Sequence, residues 1–70
     1  MSVISSPVSG TILRLDVKIG DDVTPGQALG VIESMKMEIP VEAEAAGKIT
    51  AIHVSPGDTI EEDAPFAEIA

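Results

Sequence analysis

The chain contains no cysteine, no tryptophan and no tyrosine, and a single phenylalanine. Without thiols it has no disulfide staples, no thiolate metal ligands and no sulfur nucleophile, which fits a reducing compartment. With one Phe and neither Trp nor Tyr it has no platform on which bases or sugars could stack. Cationic residues are also scarce: 4 Lys and Arg stand against 12 Asp and Glu, a formal charge of −8. Binding to a phosphate backbone needs clustered Lys and Arg, so nucleic acid is not an expected partner. No apolar run approaches the roughly 20 residues that span a bilayer, and direct membrane insertion is not expected. The first residues lack both a basic stretch and a continuous apolar stretch of the secretory kind, so the expected location is the cytoplasm.

What remains is small and regular. Seventy residues accommodate one domain, residues 1–70, whose core must be simple because short chains bury only about 60% of their unfolded surface. Acidity on this scale favours a soluble, monomeric domain. The dominant pattern is alternation at period two, the signature of half-buried strands. Leu13, Leu15, Val17 and Ile19 alternate with polar residues, and so do Met37, Ile39, Val41, Ala43 and Ala45. Pro and Gly punctuate these runs at Pro7, Gly10, Gly20, Pro25-Gly26, Gly47, Pro56-Gly57 and Pro65, where turns are expected. No segment carries apolar residues at helical spacing, and the chain reads as all-β.

The two halves repeat. A shift of 37 places Gly10 on Gly47, Ile12 on Ile49, Val17 on Val54, Gly20 on Gly57, Asp21 on Asp58 and Ile32 on Ile69. Leu15/Ile52, Val23/Ile60 and Leu29/Phe66 are conservative matches in the same frame. Each half is too small to bury its own apolar face, so the pair is expected to pack as a flattened barrel or sandwich of two antiparallel sheets with pseudo-twofold symmetry. Position 36 shifted by 37 falls just outside either terminus. The segment around Lys36 is therefore expected at one tip of the domain and both termini at the other.

That segment, Glu33-Ser34-Met35-Lys36-Met37-Glu38, departs from local rules. A tight hairpin is needed there, yet it lacks the Asn, Gly or Asp that such turns prefer. Two Met side chains also flank a Lys at a site expected to be exposed. Departures of this kind tend to mark function rather than folding.

The six residues resemble the attachment motif of the biotinyl domain family, whose core is Met-Lys-Met. The wider frame is similar over nearly the whole chain: Ser6-Pro7-Val8-Ser9-Gly10 resembles the family's opening, Gly20-Asp21 and Pro25-Gly26-Gln27 its first turns, and Gly47 and Pro56-Gly57-Asp58 its second half. Biotinyl and lipoyl domains share one fold. Lipoyl domains typically carry Asp-Lys-Ala or a close relative, so Met on both sides favours biotin, with a lipoyl carrier, or a protein that accepts either biotin or lipoate, as the alternative and acyl transfer as the alternative role. Ser34 departs from the commoner Ala. Only a turn and a polar link separate Ile19 from Ala28, as in members without the protruding thumb.

The resemblance implies a carrier rather than an enzyme. Lys36 is the implied acceptor of covalent biotin. A biotin protein ligase presents biotinyl-adenylate, because an ordinary lysine amine, with a pKa of about 10.4, is mostly protonated at neutral pH and needs an activated electrophile. A biotin carboxylase and a carboxyltransferase or decarboxylase are the implied partners between which the carboxyl group travels. Met35 and Met37 are unbranched and adaptable, suited to packing on a partner surface; Met37 equally suits the start of the inward-facing set with Ile39 and Val41. Glu33, Ser34 and Glu38 are candidates for ligase recognition, or simply a solvated hairpin flank. A further alternative is an unmodified β-barrel adaptor that binds through its Met-Lys-Met tip.

Other residues suggest less. His53, the only histidine, falls on the polar side of a strand and is expected to be a solvated surface residue. Glu61, Glu62 and Asp63 read as a solvated turn rather than a Ca²⁺ site, and no metal is expected. Lys18 and Lys48 lack the Met frame and are not expected to be modified.

Overall fold

The computed structural model describes residues 2–70. It contains eight strands: β1 (Ser2–Ser5), β2 (Gly10–Leu15), β3 (Asp22–Val23), β4 (Ala28–Ser34), β5 (Met37–Glu42), β6 (Gly47–Ile52), β7 (Thr59–Ile60) and β8 (Pro65–Ile69). They form two four-stranded antiparallel sheets, ordered β1-β8-β6-β3 and β5-β4-β2-β7. Shifting by 37 carries β2 onto β6, β3 onto β7 and β4 onto β8, and carries β1 onto β5. Each sheet thereby maps onto the other, strand for strand. The all-β, pseudo-twofold architecture expected from the repeat is the one observed.

The correspondence extends to single hydrogen bonds. Gly20 N–H donates to the Ile49 carbonyl and Ile49 N–H to that of Asp21; in mirror fashion Gly57 donates to Ile12 and Ile12 to Asp58. Asp21 Oδ2 accepts from the Lys18 N–H, and Asp58 Oδ2 from the Ser55 N–H, each at 2.9 Å. An Asp at these two places satisfies turn donors that no strand reaches. The turn of each half is thus fastened to the central strand of the other. With β5 and β7 completing the sheet that β2 and β4 begin, neither half has a closed sheet of its own.

Between the sheets lies one core: Ile4, Ile12, Val17, Val23, Leu29, Ile32, Val41, Ala43, Ile49, Ile60, Phe66, Ala67 and Ile69. Period two places Ile32 and Val41 inward from neighbouring strands, and the repeat supplies their partners Ile69 and Ile4. Ser6 is the buried polar residue, and its hydroxyl donates to the Val8 carbonyl at 2.6 Å, so its burial leaves no unsatisfied group.

One alternating run does not behave as its pattern suggests. Of Leu13, Leu15, Val17 and Ile19, only Val17 is buried; Leu13 is 39% and Ile19 64% exposed. The register explains this. A bulge between Ile12 and Arg14 leaves Leu13 unpaired and turns the strand, so Ile12 rather than Leu13 faces the core. The strand then ends at Leu15, and Ile19 sits in the turn before β3. β6 carries the same bulge between Ile49 and Ala51. Likewise the second run is a strand only to Glu42: Val41 and Ala43 are buried, but Ala45 lies in an exposed bend.

The twofold also exposes a local cost. Gly26 has φ +85°, and its counterpart Asp63 takes nearly the same conformation at φ +68°, with its N–H donating to Ser6 just as Gly26 donates to Ala43. A left-handed conformation is free for Gly but costs residues with a Cβ about 1–2 kcal/mol, less for Asp. Asp63→Gly is therefore expected to stabilise the fold by about 0.5 kcal/mol despite the added freedom of the unfolded chain. Urea denaturation checks it; a lower midpoint in the variant would mean that the Asp63 side chain holds the turn.

Candidate attachment site

The β4–β5 connection is as short as a hairpin allows. Ser34 pairs with Met37, Glu33 with Glu38 and Ile32 with Ile39, leaving Met35 and Lys36 as a two-residue loop. Both loop residues have positive φ, +52° and +65°. That is the type I′ pattern, whose twist matches the strands it joins but which favours Asn-Gly. Met and Lys occupy it at a conformational penalty, so these residue types are held there by something other than turn preference.

The surroundings leave the lysine open. Lys36 is exposed, and among the described residues it makes no ion pair or side-chain hydrogen bond. Met35 is 90% and Met37 60% exposed. The reading of Met37 as a core residue is therefore corrected: the inward-facing set begins with half-buried Ile39, because Met37 closes the turn beyond the reach of the opposite sheet. Glu33 and Glu38 are exposed and directly opposite each other, a like-charge pair that disfavours the sheet slightly. Half-buried Ser34 faces Met37 at the base of the loop. Underneath, Ile32 is fully buried, and β4 is paired on both sides, by β2 and β5. A flexible amine thus stands on a rigid two-residue turn anchored in the core.

The site residues foreseen in the sequence, Glu33 through Glu38, are all brought together at this tip. The chain ends occupy the place that the twofold relates to it: the pair Ser2–Ile69 on β1 and β8 is the counterpart of Ile39–Ile32. The other lysines differ from Lys36. Lys48 is engaged, 3.1 Å from Asp22 Oδ1 and 3.3 Å from the Gly20 carbonyl. Lys18 is exposed but lies in the tight Lys18–Asp21 turn. His53 is at the surface but not merely solvated. Its Nε2, just beyond the end of β6, lies 2.7 Å from Glu68 Oε2 on β8. Glu61, Glu62 and Asp63 form the exposed turn between β7 and β8.

The profile of the family described as "Biotin-requiring enzyme" matches residues 2–69. The chain belongs to this family. It is 47% identical over 55 residues to the biotin carboxyl carrier protein of Streptococcus mutans, a match covering 79% of this chain and 42% of that protein. It is 38% identical over 68 residues to the mitochondrial propionyl-CoA carboxylase alpha chain of Sus scrofa, covering 97% of this chain and 9% of the relative. The biotin/lipoyl attachment protein of Bacillus subtilis is 33% identical over 67 residues, covering 96% of this chain and 92% of that one. Among solved structures, the urea carboxylase of Kluyveromyces lactis superposes with a TM-score of 0.93 at 30% identity, covering 99% of this chain and 6% of that enzyme. The chain thus spans somewhat under half of the carrier protein and about a tenth or less of the carboxylases. The relatives agree with the expected fold and with a biotin-type carrier domain.

Proposed function

We propose that this domain is a biotin carboxyl carrier in which Lys36 forms an amide with biotin. The observation that supports this most is the exposed Lys36 amine on a strained Met-Lys turn, in a chain of the biotin-requiring family. Three features of the site fit the chemistry. The amine has no ion pair to give up among the described residues, so no contact within the domain has to be broken before an electrophile reaches it. The turn projects it clear of the barrel, leaving room for an enzyme cleft to close around it. The core beneath keeps the attachment point fixed, so motion is confined to the arm.

In the attachment step the Lys36 nitrogen attacks the activated carboxyl of biotinyl-adenylate, presented by a biotin protein ligase. The C–N bond forms as the carbonyl C–O bond to the phosphate breaks and AMP leaves; of the three ammonium protons one is lost before attack and one on acylation, and the third remains as the amide N–H. The domain loses one positive charge. Biotin, once bound, supplies a ring nitrogen that accepts and returns a carboxyl group. Four lysine methylenes and the biotin side chain together give about ten single bonds, hence a reach on the order of 10–15 Å. That span carries the group between a biotin carboxylase and a carboxyltransferase or decarboxylase without any change in the barrel. Contacts with each are weak and short-lived, because the carrier must leave one site to serve the next. The net charge of −8 keeps such a domain monomeric and soluble.

Intact-mass measurement after incubation with biotin, ATP and a biotin ligase, followed by peptide mapping, tests the reading. One biotinyl group on Lys36 is the expected result. A lipoyl adduct with a lipoate ligase in its place moves the domain to acyl transfer. The absence of either adduct leaves the unmodified adaptor.

A further inference from the structure

The two methionines of the tip have no structural work that the fold explains. Neither belongs to the core, and they are 90% and 60% exposed. Met35 occupies a left-handed position that disfavours it. An unbranched apolar side chain in that place serves only contact with something outside the domain. It also places two solvent-facing thioethers immediately before and after the reactive amine. Exposed thioethers are the ones oxidised most readily, and the sulfoxide is polar where the thioether is apolar.

We propose that Met35 and Met37 form an oxidation-sensitive modification site that controls loading of Lys36, an inference that rests on the carrier reading above. The oxidant is a peroxide. A sulfur lone pair attacks one peroxide oxygen, the O–O bond breaks as the S–O bond forms, and the second oxygen leaves as water. The sulfur loses two electrons and the peroxide gains them. The change adds one oxygen per methionine and leaves the barrel intact, because neither side chain is packed into it. It removes the apolar surface on both sides of the lysine that a ligase cleft must cover, and loading slows. A methionine sulfoxide reductase reverses it with two electrons from a dithiol, which becomes a disulfide as the oxygen leaves in water.

The test treats the unmodified, folded domain with hydrogen peroxide, maps the oxygens by peptide mass, and then measures biotin loading by a ligase. Mapping is needed because Met1, outside the described residues, is a third methionine. The expected result is one oxygen on each of Met35 and Met37, unchanged β-sheet circular dichroism, loading slowed at least tenfold, and recovery after treatment with methionine sulfoxide reductase. Three results overturn the proposal: tip sulfoxides that load at the untreated rate, tip methionines that stay reduced while free methionine is oxidised, or slow loading that follows loss of the sheet signal. The variant Met35→Leu/Met37→Leu is expected to load at a rate indifferent to peroxide; inhibition persisting in it also overturns the proposal. If it loads poorly from the start, the reductase recovery in the native sequence decides. An untreated domain that takes no biotin removes the carrier reading and this proposal together, an outcome distinct from normal loading that peroxide leaves unchanged.

Discussion

Lys36→Arg is expected to abolish biotin loading while shifting unfolding stability by less than about 0.5 kcal/mol. The substitution keeps the positive charge, the long stem and the exposed setting, and Arg at φ +65° meets the same backbone penalty as Lys. What it removes is the amine. A guanidinium, protonated at every accessible pH, has no free lone pair with which to attack an acyl-adenylate. Nothing in the fold rests on the Lys36 side chain, which is exposed and makes no polar contact among the described residues. Intact mass and a urea titration on the same preparation therefore separate two kinds of failure. No adduct with an unchanged midpoint supports the acceptor assignment. Residual biotin mapped to Lys18 or Lys48 would show that the ligase reads lysines the Met frame does not mark. An adaptor that reads charge at the tip would keep its binding in Lys36→Arg, whereas a carrier loses all function.

The repeat made most of this architecture legible before any coordinates. Strand pairs, bulges and turn hydrogen bonds all recur at the spacing set by Gly10/Gly47 and Gly20-Asp21/Gly57-Asp58. Within a strand, alternation was a weaker guide. Leu13-Arg14-Leu15 alternates in the sequence, but a bulge inserts one residue and exchanges faces on either side of it, and bulged Leu13 carries no mark of its own. The counterpart segment held a hint: Thr50, which matches Leu13, is a poor core residue, whereas Ile49 and Ile12 match as core residues should. Two other features needed register rather than pattern. The His53–Glu68 pair joins residues 15 apart, and Lys48–Asp22 residues 26 apart, and only the strand alignment brings them together. At the site the reverse held. Met35-Lys36 was legible because it fits a tight turn badly, and the structure confirms that both residues are in the left-handed region.

Phe66→Ala is expected to cost about 3–5 kcal/mol, the usual range for emptying a large buried aromatic site. A 70-residue domain has roughly 4–10 kcal/mol of stability in all, at 0.05–0.15 kcal/mol per residue. The variant should therefore sit near the edge of unfolding at physiological temperature, with its loss visible as a collapsed urea midpoint. Phe66 is the one aromatic residue and is fully buried, and the twofold shows how the core accommodates its size. Its counterpart Leu29, also fully buried, is smaller. Around the larger side chain the opposite sheet gives way: a Cβ on Gly30 would lie 3.0 Å from the ring's Cζ and 2.7 Å from the Arg14 carbonyl oxygen. The counterpart of Gly30 is Ala67, a fully buried residue that does carry a Cβ, in the half where the smaller Leu29 takes the place of Phe66. Phe66 and Gly30 are thus one packing solution, and Leu29 and Ala67 another. Phe66→Leu alone should cost about 1–2 kcal/mol, less than Phe66→Ala, because only part of the ring's volume is lost. Gly30→Ala alone should cost about 1–3 kcal/mol by overpacking. Combined, they should cost less than their sum, by at least about 0.5 kcal/mol, because the ring that crowds the new methyl has gone. Additive costs would mean that the Arg14 carbonyl, not the ring, is what keeps position 30 a glycine.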